Sequence, residues 1–163
     1  MRVEASVDYG RFVRRKPVYC AAAVLVVDDE AIAVTVVTQL LKRIGFEDID
    51  PAPNGVVARA MMEEKKYGLV ISDWNMPEMN GLELLRALRA DERFKQTPFM
   101  MTSIDGSLER VKIARLTGVS AFLLKPFDEM KLRSKLDEVF LQPSRRAVTE
   151  GRRPVQSDQD EQV

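Results

Sequence analysis

Short unbroken apolar runs alternate along this chain with longer stretches in which apolar residues recur every three or four positions. The runs cover residues 22–27, 69–72, 99–102 and 121–124. Each is too short for a helix, and none alternates apolar with polar. That is the pattern of parallel strands covered on both faces. Residues 48–51 form a weaker, more polar run, which suits a sheet edge. Between the runs lie five helical patterns. Ala33, Val36, Val37, Leu40 and Ile44 share one helical face, although the β-branched residues from Ile32 to Thr38 oppose a helix on local propensity. Asn54 is placed to cap a second helix through Met62. Residues 81–90 form a third helix with a Leu82, Leu85 and Leu88 stripe. Ser107 opens a fourth that ends at Gly118. Leu132, Leu136, Val139 and Phe140 stripe the fifth. Strand and helix thus alternate five times, which predicts an α/β fold with a doubly wound five-stranded parallel sheet, order 2-1-3-4-5, and five helices.

Residues 18–27 follow Arg14-Arg15-Lys16 and superficially look like a secretion signal. The run is too short to span a bilayer. Its small residues, Ala21 to Ala23, fall in mid-run rather than after it. A buried first strand is the better reading, and no membrane insertion is expected.

Charge divides the chain into three. Residues 1–20 carry five Lys/Arg against two acids, residues 21–142 sixteen against nineteen, and residues 143–163 four against four. The outer parts lack apolar periodicity. They read as a flexible N-terminal extension (1–20) and a disordered C-terminal tail (143–163) around one domain at 21–142. The basic run Arg11 to Lys16 reads as a solvated segment. Net charge is zero, so nothing global points to nucleic acid. The twenty or so residues after the fifth helix are too few for a helix-turn-helix domain. The absence of His removes His-dependent catalysis and His metal ligation. Cys20 is alone, so neither an internal disulfide nor a thiolate cluster is expected, which fits a cytoplasmic location.

Candidate chemistry gathers just past the strands. Asp28-Asp29 follows the first, Asp73 the third, Ser103 the fourth and Lys125-Pro126 the fifth. In an open α/β sheet these positions share one crevice. Three carboxylates, a hydroxyl and an ammonium would meet there. Clustered carboxylates repel one another, and a hard cation with oxygen ligands relieves this. A carboxylate can also attack phosphorus and form an acyl phosphate.

The stretch Val70-Ile71-Ser72-Asp73-Trp74-Asn75-Met76-Pro77, with Gly81 and Leu85, resembles the receiver domain of bacterial two-component response regulators. It is especially similar to single-domain chemotaxis regulators, and the likeness runs from about Val24 to Phe140. The resemblance implies a flavodoxin-like fold and makes Asp73 the phosphoacceptor. It implies Mg²⁺ held by Asp28, Asp29, Asp73 and the backbone carbonyl of Asn75. Lys125 would reach the phosphoryl oxygens as a point charge, and the Lys125-Pro126 bond after it would be cis. Ser103 would donate its hydroxyl, with Thr102 as the rival, and Phe122 would be the switch aromatic. A sensor histidine kinase or a histidine phosphotransfer protein would be the donor. A downstream protein would bind the helix 4–strand 5–helix 5 face. Two departures stand out. Ile104 replaces the usual small residue beside the acceptor and would act as a partial lid over access to Asp73. Pro53 interrupts the usual acidic approach to Gly55.

Two other readings remain. A phosphatase of the haloacid dehalogenase type also uses an aspartyl nucleophile and Mg²⁺, but it needs a second Asp two residues on. Asn75 stands there and cannot transfer protons. A phosphorylation-independent module on the same fold would have no need of the full set of acids, Ser103 and Lys125.

Overall fold

The computed structural model describes residues 16–141. Its strands are β1 (Val24–Val27), β2 (Ile49–Ala52), β3 (Leu69–Asp73), β4 (Phe99–Ser103) and β5 (Ala121–Leu124). They form one parallel sheet in the order β2-β1-β3-β4-β5. The helices are α1 (Ala31–Ile44), α2 (Gly55–Glu64), α3 (Gly81–Ala90), α4 (Leu108–Thr117) and α5 (Glu129–Leu141). This is the expected doubly wound architecture. β3 and β4 are one residue longer than the apolar runs indicate, so Asp73 and Ser103 close these strands rather than following them.

Side chains alternate across the pleat, and the sheet therefore feeds two cores. Val24, Val26, Leu69 and Ile71 pack with Val37, Leu41, Ile44, Leu132 and Leu136 from α1 and α5. Leu25, Val27, Val70, Phe99 and Met101 pack with Ala58, Leu84, Leu85, Leu88 and Ala114 from α2, α3 and α4. Burial on both faces explains why the central strands read as continuous apolar runs.

The α1 face is rotated from the expected one. Val37, Leu41 and Ile44 are buried, whereas Val36 is 48% exposed and Ile32 80% exposed. The helix carries more apolar residues than one face can hold, so its sequence is compatible with two registers. Packing on Val24 and Phe46 selects the Val37-Leu41-Ile44 face. Val34 and Leu40 pack partly against the same core, while Ile32 and Val36 face outward beside Lys125-Pro126-Phe127.

Residues 16–20 belong to the packed unit, so it begins before the expected boundary at 21. A single 3-10 turn, Val18–Ala21, buries Tyr19 and Cys20. The Tyr19 hydroxyl donates to Asp137 on α5 at 2.6 Å, and its ring stacks on Phe140 with centroids 5.0 Å apart. Lys16 pairs with Glu47. The remainder of the expected N-terminal extension, and the expected C-terminal tail, lie outside the described residues.

Candidate functional site

The carboxyl ends of β1, β3, β4 and β5 point into one crevice, located where the strand order reverses between β1 and β3. Asp28 follows β1 and is 6% exposed, while Asp29 beside it is exposed. Asp28 Oδ1 accepts the backbone N–H of Glu30 at 2.9 Å, which fixes the β1–α1 turn. Carboxylate oxygens of Asp28, Asp29 and Asp73 all lie within 4.8 Å of one another.

Lys125 directly follows β5, and the Lys125-Pro126 peptide after it is cis. Its Nζ lies 2.9 Å from Asp28 Oδ2 and 2.8 Å from Asp73 Oδ1. Burial alone would lower the ammonium's affinity for its proton. Hydrogen bonds and charge from Asp73 and Asp28 outweigh this and hold its pKa above the ordinary lysine value. One ammonium therefore stands between two carboxylates of a three-carboxylate cluster. The local charge is negative, and every donor atom is oxygen. That set suits a hard divalent cation and does not suit a soft one.

The β3–α3 loop sets the other side of Asp73. The N–H of Asn75 donates to Asp73 Oδ2 at 3.0 Å. Asn80 caps α3 through Glu83 N, and Glu83 returns a bond to Asn80 N. Such a capping box is worth about 1 kcal/mol and fixes where the helix starts. A Cβ at Gly81 would sit 2.1 Å from the Asp73 carbonyl oxygen. Glycine is what allows α3 to start this close to the acceptor strand.

Ser103 is 1% exposed, and its Oγ accepts the N–H of Asp105 at 3.0 Å. Thr102 lies on the opposite pleat of β4, paired in register with Asp73, and its carbonyl accepts the Trp74 N–H. Ser103 Oγ also meets Arg110 Nη1 at 3.5 Å, and the same nitrogen meets Asn75 Oδ1 at 3.5 Å. The Arg110 contact sets Ser103 Oγ on the side of β4 that faces the β3–α3 loop. Phe122, on β5, packs edge-on to Trp74 with ring centroids 6.4 Å apart. Ile104 is 77% exposed, so in this conformation the expected lid stands at the rim and is not packed over Asp73.

This arrangement brings Asp28, Asp29, Asp73 and Lys125 together, with the Asn75 N–H on Asp73. The family model of the response regulator receiver domain matches residues 24–137. The chain belongs to the response regulator receiver family. It is 36% identical over 117 residues to chemotaxis protein CheY-3 of Vibrio cholerae, covering 72% of this chain and 90% of that protein. It is 40% identical over 116 residues to chemotaxis protein CheY1 of Helicobacter pylori, covering 71% and 94%. Among solved structures, Vibrio cholerae CheY4 superposes with a TM-score of 0.68 at 32% identity, over 72% of this chain and 98% of that one. A response regulator receiver protein from Pseudomonas putida gives 0.66 at 35% identity, over 72% and 96%. Membership of this family places the chain among the receiver domains of two-component signalling. No described helix is long and apolar enough to cross a membrane.

Sequence reasoning missed one member of the site, Arg110. It lies seven residues after Ser103, in the first turns of α4, where a charged residue ordinarily reads as solvated surface. Only the fold reveals that this turn leans over the β3–α3 loop.

Proposed function

We propose that this receiver domain takes a phosphoryl group on Asp73 from a phosphohistidine, supplied by a sensor histidine kinase or a histidine phosphotransfer protein. The observation that carries this reading is the bridging of Asp73 and Asp28 by Lys125 at 2.8 and 2.9 Å, inside a three-carboxylate cluster. In the transfer an Asp73 carboxylate oxygen attacks phosphorus. The P–N bond of the donor breaks, its electron pair stays on the imidazole nitrogen, and the phosphoryl group remains as an acyl phosphate. Lys125 exchanges its Asp73 contact for a phosphoryl oxygen, and Ser103 donates its hydroxyl to another.

Asp28, Asp29, Asp73 and the Asn75 carbonyl would hold Mg²⁺. When bound, the ion offsets carboxylate repulsion and the charge of the incoming phosphoryl group. Trp74 is the sole tryptophan and adjoins Asp73. Titrating Mg²⁺ is therefore expected to change its fluorescence saturably in native protein. In Asp29→Ala the same change should need at least about tenfold more Mg²⁺, since one of few charged ligands is gone. An identical titration in the variant would move the metal site away from Asp29.

Donor docking has a surface beside the acceptor. Ile32 and Val36 are exposed on α1 and border Lys125, Pro126 and Phe127. A donor imidazole must approach within bonding distance of Asp73, so its protein must touch the rim of the crevice. The downstream partner is assigned to the face of α4, β5 and α5. There Val111, Phe122 and Lys135 line a cavity of about 600 Å³, and Leu116 is exposed on the neighbouring helix surface. Occupation of Asp73 would draw Ser103 inward and shift Phe122 between two packings, changing this face by population shift. With beryllofluoride and Mg²⁺ bound, backbone amide shifts are expected to change at Val111, Phe122 and Lys135 as well as around Asp73. Changes confined to the Asp73 crevice would contradict a switch on this face. The signalling site is assigned to the cytoplasm, where such donors are found.

A further inference from the structure

Arg110 is the one cation besides Lys125 that the described residues bring to the acceptor, and it comes from the other side. Lys125 takes Asp73 Oδ1, and the Asn75 N–H takes Oδ2. Arg110 Nη1 stands 3.5 Å from Asn75 Oδ1 and 3.5 Å from Ser103 Oγ. Both distances are at the outer limit of hydrogen bonding, and both acceptors are neutral. These bonds are weak and readily exchanged for a better acceptor.

The rest of the side chain is held in place. Arg110 Nε pairs with Asp105 Oδ2 at 3.1 Å, and the guanidinium lies over the Trp74 ring, 4.9 Å from its centroid. The side chain is 28% exposed. A guanidinium fixed through Nε and by stacking still offers its outer N–H groups as a planar fork. That fork matches two oxygens of a phosphoryl group better than an ammonium does. Converting the Asp73 carboxylate to an acyl phosphate adds about one net negative charge to the crevice, and Lys125 is already shared between two carboxylates.

We propose that Arg110 is a phosphoryl-binding residue: on modification of Asp73 its Nη groups leave Asn75 and Ser103 and take phosphoryl oxygens, lengthening the life of the acyl phosphate. The proposal rests on the phosphoacceptor reading of Asp73. Arg110 covers the side of the phosphoryl group that Lys125 leaves open, and so obstructs the water that hydrolyses it. Release from Ser103 also frees that hydroxyl to turn toward the phosphate. The modified state would thus be held from two sides, by β5 through Lys125 and by α4 through Arg110.

Beryllofluoride binding in the presence of saturating Mg²⁺, followed by fluorine NMR, tests this without relying on Trp74, whose emission Arg110 itself perturbs. Arg110→Ala is expected to bind the analogue about tenfold more weakly, the scale of one charge-assisted contact. It should lose the phosphoryl group several-fold faster after labelling with acetyl phosphate. Arg110→Lys, which keeps the charge but not the fork, should fall between the two. Mg²⁺ affinity without the analogue should not weaken in either variant, which shows that the crevice is intact. Asp73 labelling of the native protein separates the two readings. If Asp73 is labelled and Arg110→Ala binds beryllofluoride as tightly as native, the role of Arg110 is overturned and the phosphoacceptor reading stands. If native protein takes neither label nor analogue, both are overturned.

Discussion

Asp73→Asn is expected to reduce phosphorylation by acetyl phosphate by on the order of 10³-fold or more, to the background rate. Asparagine keeps the shape and can still accept the Asn75 N–H that holds Asp73 Oδ2 at 3.0 Å. It loses the charge and the nucleophilic oxygen. No neighbour can substitute. Asp28 is 6% exposed, and both of its oxygens are engaged, Oδ1 by Glu30 N and Oδ2 by Lys125. Asp29 is exposed at the mouth of the crevice and is assigned to the metal. The variant should nevertheless be at least as stable as native protein. Removing one of three carboxylates within 4.8 Å relieves repulsion; the Lys125–Asp73 pair is lost with it, but Lys125 keeps Asp28 at 2.9 Å, so the relief outweighs the loss. Phosphorylation rate and urea midpoint, measured on the same sample, should move in opposite directions.

Lys125→Met should impair both properties. Its ammonium bridges Asp28 and Asp73, and a fifth of the side chain meets solvent. Breaking a fully buried pair by deleting one partner costs about 3–5 kcal/mol. Partial exposure reduces that here to roughly 1–3 kcal/mol. Mg²⁺ should restore part of the loss, because it satisfies the same carboxylates. The lysine's folded pKa lies above its unfolded value. The stabilisation is therefore complete below about pH 10 and is lost as the pH rises through the folded value. Phosphotransfer should fall by about 10²-fold, the usual scale for removing one preorganised charge from a developing anion. Urea midpoints with and without Mg²⁺, and labelling rates at saturating Mg²⁺, check the two effects separately. A variant as stable as native without Mg²⁺ would mean that the two ion pairs contribute nothing net.

The sheet was legible because burial on both faces imposes continuous apolar runs, and that constraint survives in single sequences. Asp28, Asp73, Ser103 and Lys125 were legible for a related reason: each follows such a run, and the ends of parallel strands converge. What the sequence concealed depends on side-chain choice between near-equal options. On α1, the two apolar registers differ only in which residues meet Val24 and Phe46, so Leu41 was missed and Val36 was placed inward. At the N-terminus, Tyr19 and Cys20 looked like the end of an extension because their partners, Asp137, Phe140 and Ile44, lie far along the chain. Arg110 was hidden because the tilt of α4 over the β3–α3 loop has no local signature. Ile104 was read as a lid because its bulk stands where the resemblance expects a small residue, whereas its direction depends on a loop whose turn, held by Ser103 Oγ and Asp105 Oδ1, leaves it 77% exposed.

The central claim is that Asp73, and no other side chain, carries the phosphoryl group. Native protein incubated with acetyl phosphate and Mg²⁺, then reduced with borohydride, converts an aspartyl phosphate to homoserine at the modified position. Peptide mass mapping is predicted to find homoserine at position 73 alone, absent when Mg²⁺ is chelated before labelling. Homoserine at position 28 or 29, or a stable phosphate on Ser103, would contradict the account.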